Sequence, residues 1–215
     1  MPANRHQDLS DHIWAVANKL RGPYRPPGYR KVMLPLIVLR RLDCVLETTK
    51  AEVLKQLEQL TARGLKDEAL EKALASASKT NRKEPLYNIS PYTFQRLLAD
   101  PGGLAKNLTA YIKGFSPKVR EVFEKFEFEK EIEKLDEANR LFEIIGAFAA
   151  IDLHPNTVSN IDMGYMFENL IRRFNEQANE EAGDHFTPRE VIRLMAHLIY
   201  TGDEDVYTPG IARTI

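Results

Sequence analysis

Cysteine is almost missing from this chain. Cys44 stands alone among 215 residues, which excludes a disulfide framework, and its place in an apolar helical pattern reads as a small buried thiol. Long apolar runs are missing as well. The longest, residues 32–39, is interrupted by Pro35 and stops at Arg40-Arg41, well short of the ~20 residues a membrane helix needs. Residues 1–6 lead into no apolar core, so no secretory signal is read. These absences predict a cytoplasmic protein with no membrane segment. Net charge nearly vanishes: 30 Lys+Arg against 31 Asp+Glu leave −1, so the chain as a whole is no polyanion binder. Strand patterning is scarce, with no useful alternating run before Asp205-Val206-Tyr207. Nothing repeats at a fixed period, which argues against a solenoid.

What is present is helical spacing on an ordinary globular composition, 43% hydrophobic with 10 Phe and 8 Tyr. Ile13, Val16, Ala17 and Leu20 mark an amphipathic helix, ended by Arg21-Gly22-Pro23-Tyr24-Arg25-Pro26-Pro27-Gly28. The period then predicts one long helix over about 29–62, with Pro35 in its first turn or at a kink. A short helix is predicted over 65–77 and a polar loop over 78–85. Phe123, Phe126, Phe128, Ile132 and Leu135 supply apolar faces to one or two helices within 121–148. Asp152-Leu153-His154-Pro155 reads as a turn. Met163, Met166, Phe167, Leu170, Ile171 and Phe174 form a helix stripe, as do Val191, Leu194, Met195 and Leu198. Residues 1–45 carry eight Lys/Arg, including Arg21, Arg25, Arg30, Lys31, Arg40 and Arg41, against three Asp. A solvated face and a phosphate-contacting face both fit that excess.

One segment has the makings of a ligand site. In Gly183-Asp184-His185-Phe186-Thr187-Pro188-Arg189-Glu190, Thr187 can cap a helix, Pro188 suits the first helical position and Glu190 can bond back to the cap. Such a start exposes backbone N–H groups and the positive end of a helix dipole, which suits a carboxylate or phosphate. Plain helix initiation explains the same residues. Ser90-Pro91, Ser116-Pro117 and Thr208-Pro209 share the cap-then-proline form, but only Thr187 has an acid three residues on. Asp184 and His185 are adjacent, and His154 and His197 have no ligand-like spacing to them, so no metal site is read. No catalytic triad, reactive-cysteine pattern or glycine-rich phosphate loop is readable.

Five stretches, in order and over most of the chain, resemble the modification subunits of type I restriction-modification systems. They are Leu9-Ser-Asp-His-Ile-Trp-Ala-Val-Ala-Asn-Lys-Leu-Arg-Gly, Tyr29-Arg-Lys-Val-Met-Leu-Pro-Leu-Ile-Val-Leu-Arg-Arg-Leu-Asp, Tyr111-Ile-Lys-Gly-Phe-Ser-Pro, Met163-Gly-Tyr-Met-Phe-Glu-Asn-Leu-Ile-Arg-Arg-Phe and Gly183-Asp-His-Phe-Thr-Pro-Arg-Glu-Val-Ile-Arg-Leu-Met. The resemblance implies a mainly α chain: a helical N-terminal domain, 1–155, followed by the start of a Rossmann-like adenine-N6 DNA methyltransferase domain, 156–215. It implies S-adenosylmethionine as cofactor, and DNA, a specificity subunit and a restriction subunit as partners. It also implies that Asp184, His185, Phe186, Thr187, Pro188 and Arg189 touch the cofactor near its methionine end.

Ile211-Ala-Arg-Thr-Ile looks like the lead into the family's first glycine-rich motif, and neither that motif nor the later Asn-Pro-Pro-Phe-type motif occurs in these residues. Methyl transfer needs the adenine amino group held against the sulfonium methyl. No catalytic residue is therefore assigned, and the chain alone is expected to be inactive, with weak or no cofactor binding. The alternative reading is a non-catalytic helical module that binds the specificity subunit, or DNA through Arg21, Arg25, Arg30 and Lys31. The stripe at 191, 194, 195 and 198 needs a cover, from the N-terminal domain or from self-association, or stays exposed.

Overall fold

In a computed structural model, which describes residues 5–78, 85–177, 187 and 189–200, the chain is mainly α. No strand forms among the described residues; two isolated bridges, Arg21 with Tyr24 and Asn88 with Phe115, are the only β pairings there. None of their helices is long and apolar enough to cross a membrane. Two compact units divide the chain, Met1–Ala178 and Asn179–Ile215.

In the first unit, helix α1 (Arg5–Ala17) buries Ile13, Val16 and Ala17, and the 3-10 turn after it buries Leu20, as the periodicity predicts. Gly22 then takes φ +105, a conformation that L side chains rarely adopt. Tyr24 anchors the following loop through a 2.6 Å hydrogen bond from its hydroxyl to Glu131. Helix α2 (Tyr29–Leu46) is buried on nearly every side, which makes it the central helix. Pro35 lies inside it, beyond the first turn.

The single helix expected over 29–62 is two. Helix α2 stops at Leu46 and α3 runs Lys50–Ala62. Thr48 and Thr49 sit in the break, where a threonine hydroxyl competes for helix carbonyls, and Thr49 Oγ1 donates to the Leu46 carbonyl. The break also serves two cores. Leu39 and Leu46 face the main one, whereas Val53 faces a satellite core with Leu74 of α4 (Asp67–Ala77) and Tyr87. The apolar spacing runs unbroken across the change of partner, so periodicity cannot show it. Gly64, φ +81, closes α3 in a Schellman turn, with Leu65 N donating to Leu60 O at 3.1 Å.

Five short helices and one long one complete the unit: α5 (Phe94–Leu98), α6 (Leu104–Lys113), α7 (Pro117–Lys125), α8 (Phe128–Glu137), α9 (Leu141–Ala149) and α10 (Asn160–Gln177). Ser116-Pro117 opens α7 with the proline in its first turn, but the Ser116 hydroxyl makes no cap bond. Ser90-Pro91 opens no helix; Thr93 caps α5 instead, accepting from Arg96 N at 3.2 Å. The span 121–148 holds parts of three helices, more than expected. Phe94, Tyr111, Phe115, Phe123 and Phe128 form a chain of ring contacts at 5.1–6.4 Å through their core, while Phe126, in the turn after α7, is 42% exposed. Gly114 is required by close approach: a Cβ there would meet Ser90 at 2.8 Å. On α10 the predicted stripe faces inward, with Met163, Met166, Leu170 and Phe174 buried.

The described part of the second unit is Thr187 and α11 (Arg189–Tyr200). Its apolar residues, among them Val191, Leu194, Met195 and Leu198, are exposed, Leu198 by 68%. The expected loop over 78–85, the Asp205-Val206-Tyr207 run and Thr208-Pro209 lie largely or wholly outside the described residues.

Candidate functional site

Of the six residues singled out from sequence, Asp184, His185, Phe186 and Pro188 lie outside the described residues. Thr187 is non-helical and exposed, and Arg189 is the first residue of α11, its side chain outside the description. A helix thus starts where the capping pattern predicts one.

The first unit brings together groups that the sequence reading did not single out. Asp43, on α2, has a side chain only 8% exposed. It accepts from Arg40 Nη1 and from the Tyr111 hydroxyl, each at 2.8 Å, and from Phe94 N at 3.4 Å. Lys50, buried at the start of α3, lies 4.7 Å from the Tyr111 ring centre. It donates to the Tyr92 carbonyl and, at 3.4 Å, to Asn88 Oδ1. Asn88 also accepts from Ser90 and donates to the Tyr111 carbonyl at 2.8 Å. Burial and the Asp43 carboxylate hold the Tyr111 hydroxyl well above its ordinary pKa. Burial pushes the Cys44 thiol up too, in keeping with a packing role. This network ties α2, α3, the 87–93 segment and α6 together.

Burial lowers the Lys50 pKa from 10.5 to about 8, against the opposing pull of Asp43; Arg96 lowers it further. The sign follows from proton counting. Between about pH 8 and 10.5 the folded state has released a proton that the unfolded chain keeps, so stability rises with pH there. Tyr24 and Tyr111, both raised above 10.0 in the fold, reverse the trend above pH 10. Chemical unfolding at pH 8 and pH 10 is expected to show wild type gaining about 2 kcal/mol from Lys50. Lys50→Met should lack this gain and lose stability over the interval, because the raised Cys44 thiol and tyrosine hydroxyls keep protons that the unfolded chain releases. The difference between wild type and variant therefore reports Lys50; a difference that does not change with pH would assign the rise to another group.

The basic excess of residues 1–45 is partly used inside the fold. Lys19 pairs with Glu143 at 2.7 Å, and Arg40 and Arg41 reach backbone carbonyls more than 100 positions away. Arg21, Arg25, Arg30 and Lys31 stay exposed.

Comparison with known proteins adds two matches in chain order. Residues 9–148 match the family described as HsdM N-terminal domain, and residues 159–214 match the family described as N-6 DNA Methylase. No curated protein matches the chain.

Proposed function

Since the chain belongs to the HsdM N-terminal domain family, which it matches over 9–148 and follows with an N-6 DNA Methylase match, we propose that it forms the front part of a type I modification subunit. In that role it serves an adenine-N6 DNA methyltransferase that draws its methyl group from S-adenosylmethionine. Residues 1–155 act as the helical domain and 156–215 open the methyltransferase domain. The observation that carries this reading is the order of the two matches within one chain.

The division of labour follows from the residues. The helical domain meets the specificity and restriction subunits and, through Arg21, Arg25, Arg30 and Lys31, the DNA phosphates. The residues Asp184, His185, Phe186, Thr187, Pro188 and Arg189 meet the cofactor's methionine end, with the start of α11 offering backbone amides to its carboxylate. The fit is chemical: an exposed threonine stands directly before a proline and a helix start. When bound, S-adenosylmethionine supplies an electrophilic methyl on sulfur; this chain's residues bind and orient it. The apolar stripe of α11 is the face that packs on a sheet in such a domain, or pairs with a second copy when no sheet covers it. The interaction-module reading describes what the helical domain does within the same assembly.

Transfer of labelled methyl from S-adenosylmethionine to duplex DNA tests this. The chain joined to a glycine-rich motif and an Asn-Pro-Pro-Phe region, with a specificity subunit present, should give N6-methyladenine; the 215 residues alone should give none. A joined, folded protein that leaves adenine unmodified would count against the assignment.

A further inference from the structure

The segment between the two matched regions is built as a joint. Two neighbouring guanidinium groups of α2 hold it. Arg40 Nε donates to the Ile151 carbonyl at 2.8 Å. Arg41 Nη1 donates to the carbonyls of Leu153 and, at 2.8 Å, Val158, while its Nη2 reaches Asn160 Oδ1 at 2.9 Å. The side chains of Ile151, Leu153 and Val158 are buried beneath these carbonyls. Asp152 fixes the turn between them by accepting from His154 N at 2.8 Å and from the Thr157 hydroxyl at 2.7 Å, bonds that hold its carboxyl below the usual range. Ser159 and Asp162 then form a reciprocal capping box at the start of α10.

The far half of α10 is held as well. Phe174 lies 5.1 Å from Trp14 of α1, centre to centre, and Arg173 stacks over that indole while pairing with Asp11. A connection between independently moving domains is ordinarily exposed, with few contacts across it. Here the turns are hydrogen-bonded and the side chains of Ile151, Leu153 and Val158 point inward, while Pro155 and Ile161 stay exposed.

We infer that Arg40 and Arg41 are positioning residues that make α10, the first helix of the N-6 DNA Methylase match, a mechanical part of the helical domain. A partner that shifts the helical domain carries α10 with it. Gln177, the last residue of α10, precedes Thr187 by ten positions, so α10 is the described helix that comes before the proposed cofactor segment in the chain. The cofactor segment rests on the methyltransferase reading; the joint itself does not.

The chain's single tryptophan, Trp14, packs on Phe174 in the far half of α10 and reports how that helix is seated. In the 215-residue chain, Arg41→Met should red-shift Trp14 emission and speed amide exchange along α10 by at least about 10–100-fold, since it removes three charge-assisted hydrogen bonds. Exchange in α3 and α4 should be unchanged. Asn160→Ala, which removes only the α10 end of the contact, should speed exchange in the first turn of α10 alone. Arg41→Lys should fall between wild type and Arg41→Met, and decides the matter if Arg41→Met does not fold. Arg172→Met, on the exposed side of α10, should change nothing. Unchanged Trp14 emission and α10 exchange in the folded Arg41 variants would overturn the inference, as would loss of protection spread evenly over the whole unit. No cofactor enters these measurements, so their failure is separate from failure of the methyltransferase reading.

Discussion

Asp43→Ala is expected to destabilise the helical unit by about 3–5 kcal/mol, the cost of breaking a buried ion pair by removing one partner. The carboxylate is nearly enclosed and accepts from Arg40, Tyr111 and the Phe94 amide. Without it, the Arg40 guanidinium keeps the Ile151 carbonyl and the Phe94 ring, 5.6 Å away, but loses its direct ion-pair partner. The Tyr111 hydroxyl loses its acceptor inside the core, and Lys50 loses the one charge that favours its ammonium. Domains are stable by about 5–15 kcal/mol in all, so the variant should sit near the edge of folding at 37 °C. Tyr111→Phe removes one hydrogen bond and leaves the ion pair, so it should cost only about 1–2 kcal/mol. Urea unfolding followed by circular dichroism measures both. A loss below about 1 kcal/mol for Asp43→Ala, the range of exposed pairs, would mean that water reaches the network.

Much of the helical architecture is legible in sequence because burial follows the 3.6-residue period. Met163, Met166, Leu170 and Phe174 were placed on one face by spacing alone, and all four are buried. The same period hides the break at 47–49, since Leu46 and Val53 stay in phase while facing different cores. Phe126 shows another limit: its neighbours at 123 and 128 are buried, and one residue of turn leaves it outside. Arg40 and Arg41 read as basic surface because their partners are backbone carbonyls beyond position 150, and a carbonyl acceptor leaves no mark on residue type. The Asp43, Lys50 and Tyr111 cluster is silent for a similar reason, since 68 positions separate Asp43 from Tyr111. The start of α11 just after Thr187 was legible because capping patterns are local, with threonine, proline and acid within four residues.

The second large effect concerns the cofactor. A helix N-terminus contributes about 0.3–2 kcal/mol to holding an anion, whereas micromolar binding requires about 8 kcal/mol. One turn and one helix start therefore cannot hold S-adenosylmethionine by themselves. On the proposed reading, the contacts to adenosine and sugar come from a glycine-rich motif, which these residues do not contain. Affinity should rise by at least about 100-fold, close to 3 kcal/mol, when that motif is joined on.

Calorimetric titration of S-adenosylmethionine into the 215-residue chain, and into the same chain continued through an Asp-Pro-x-x-Gly-Thr-Gly motif, measures this directly. The account predicts little or no heat from the first and a saturable isotherm from the second, weakened when Phe186 and Thr187 are both replaced by alanine. Saturable micromolar binding by the 215 residues alone, or an isotherm indifferent to the Phe186 and Thr187 replacements, would contradict it.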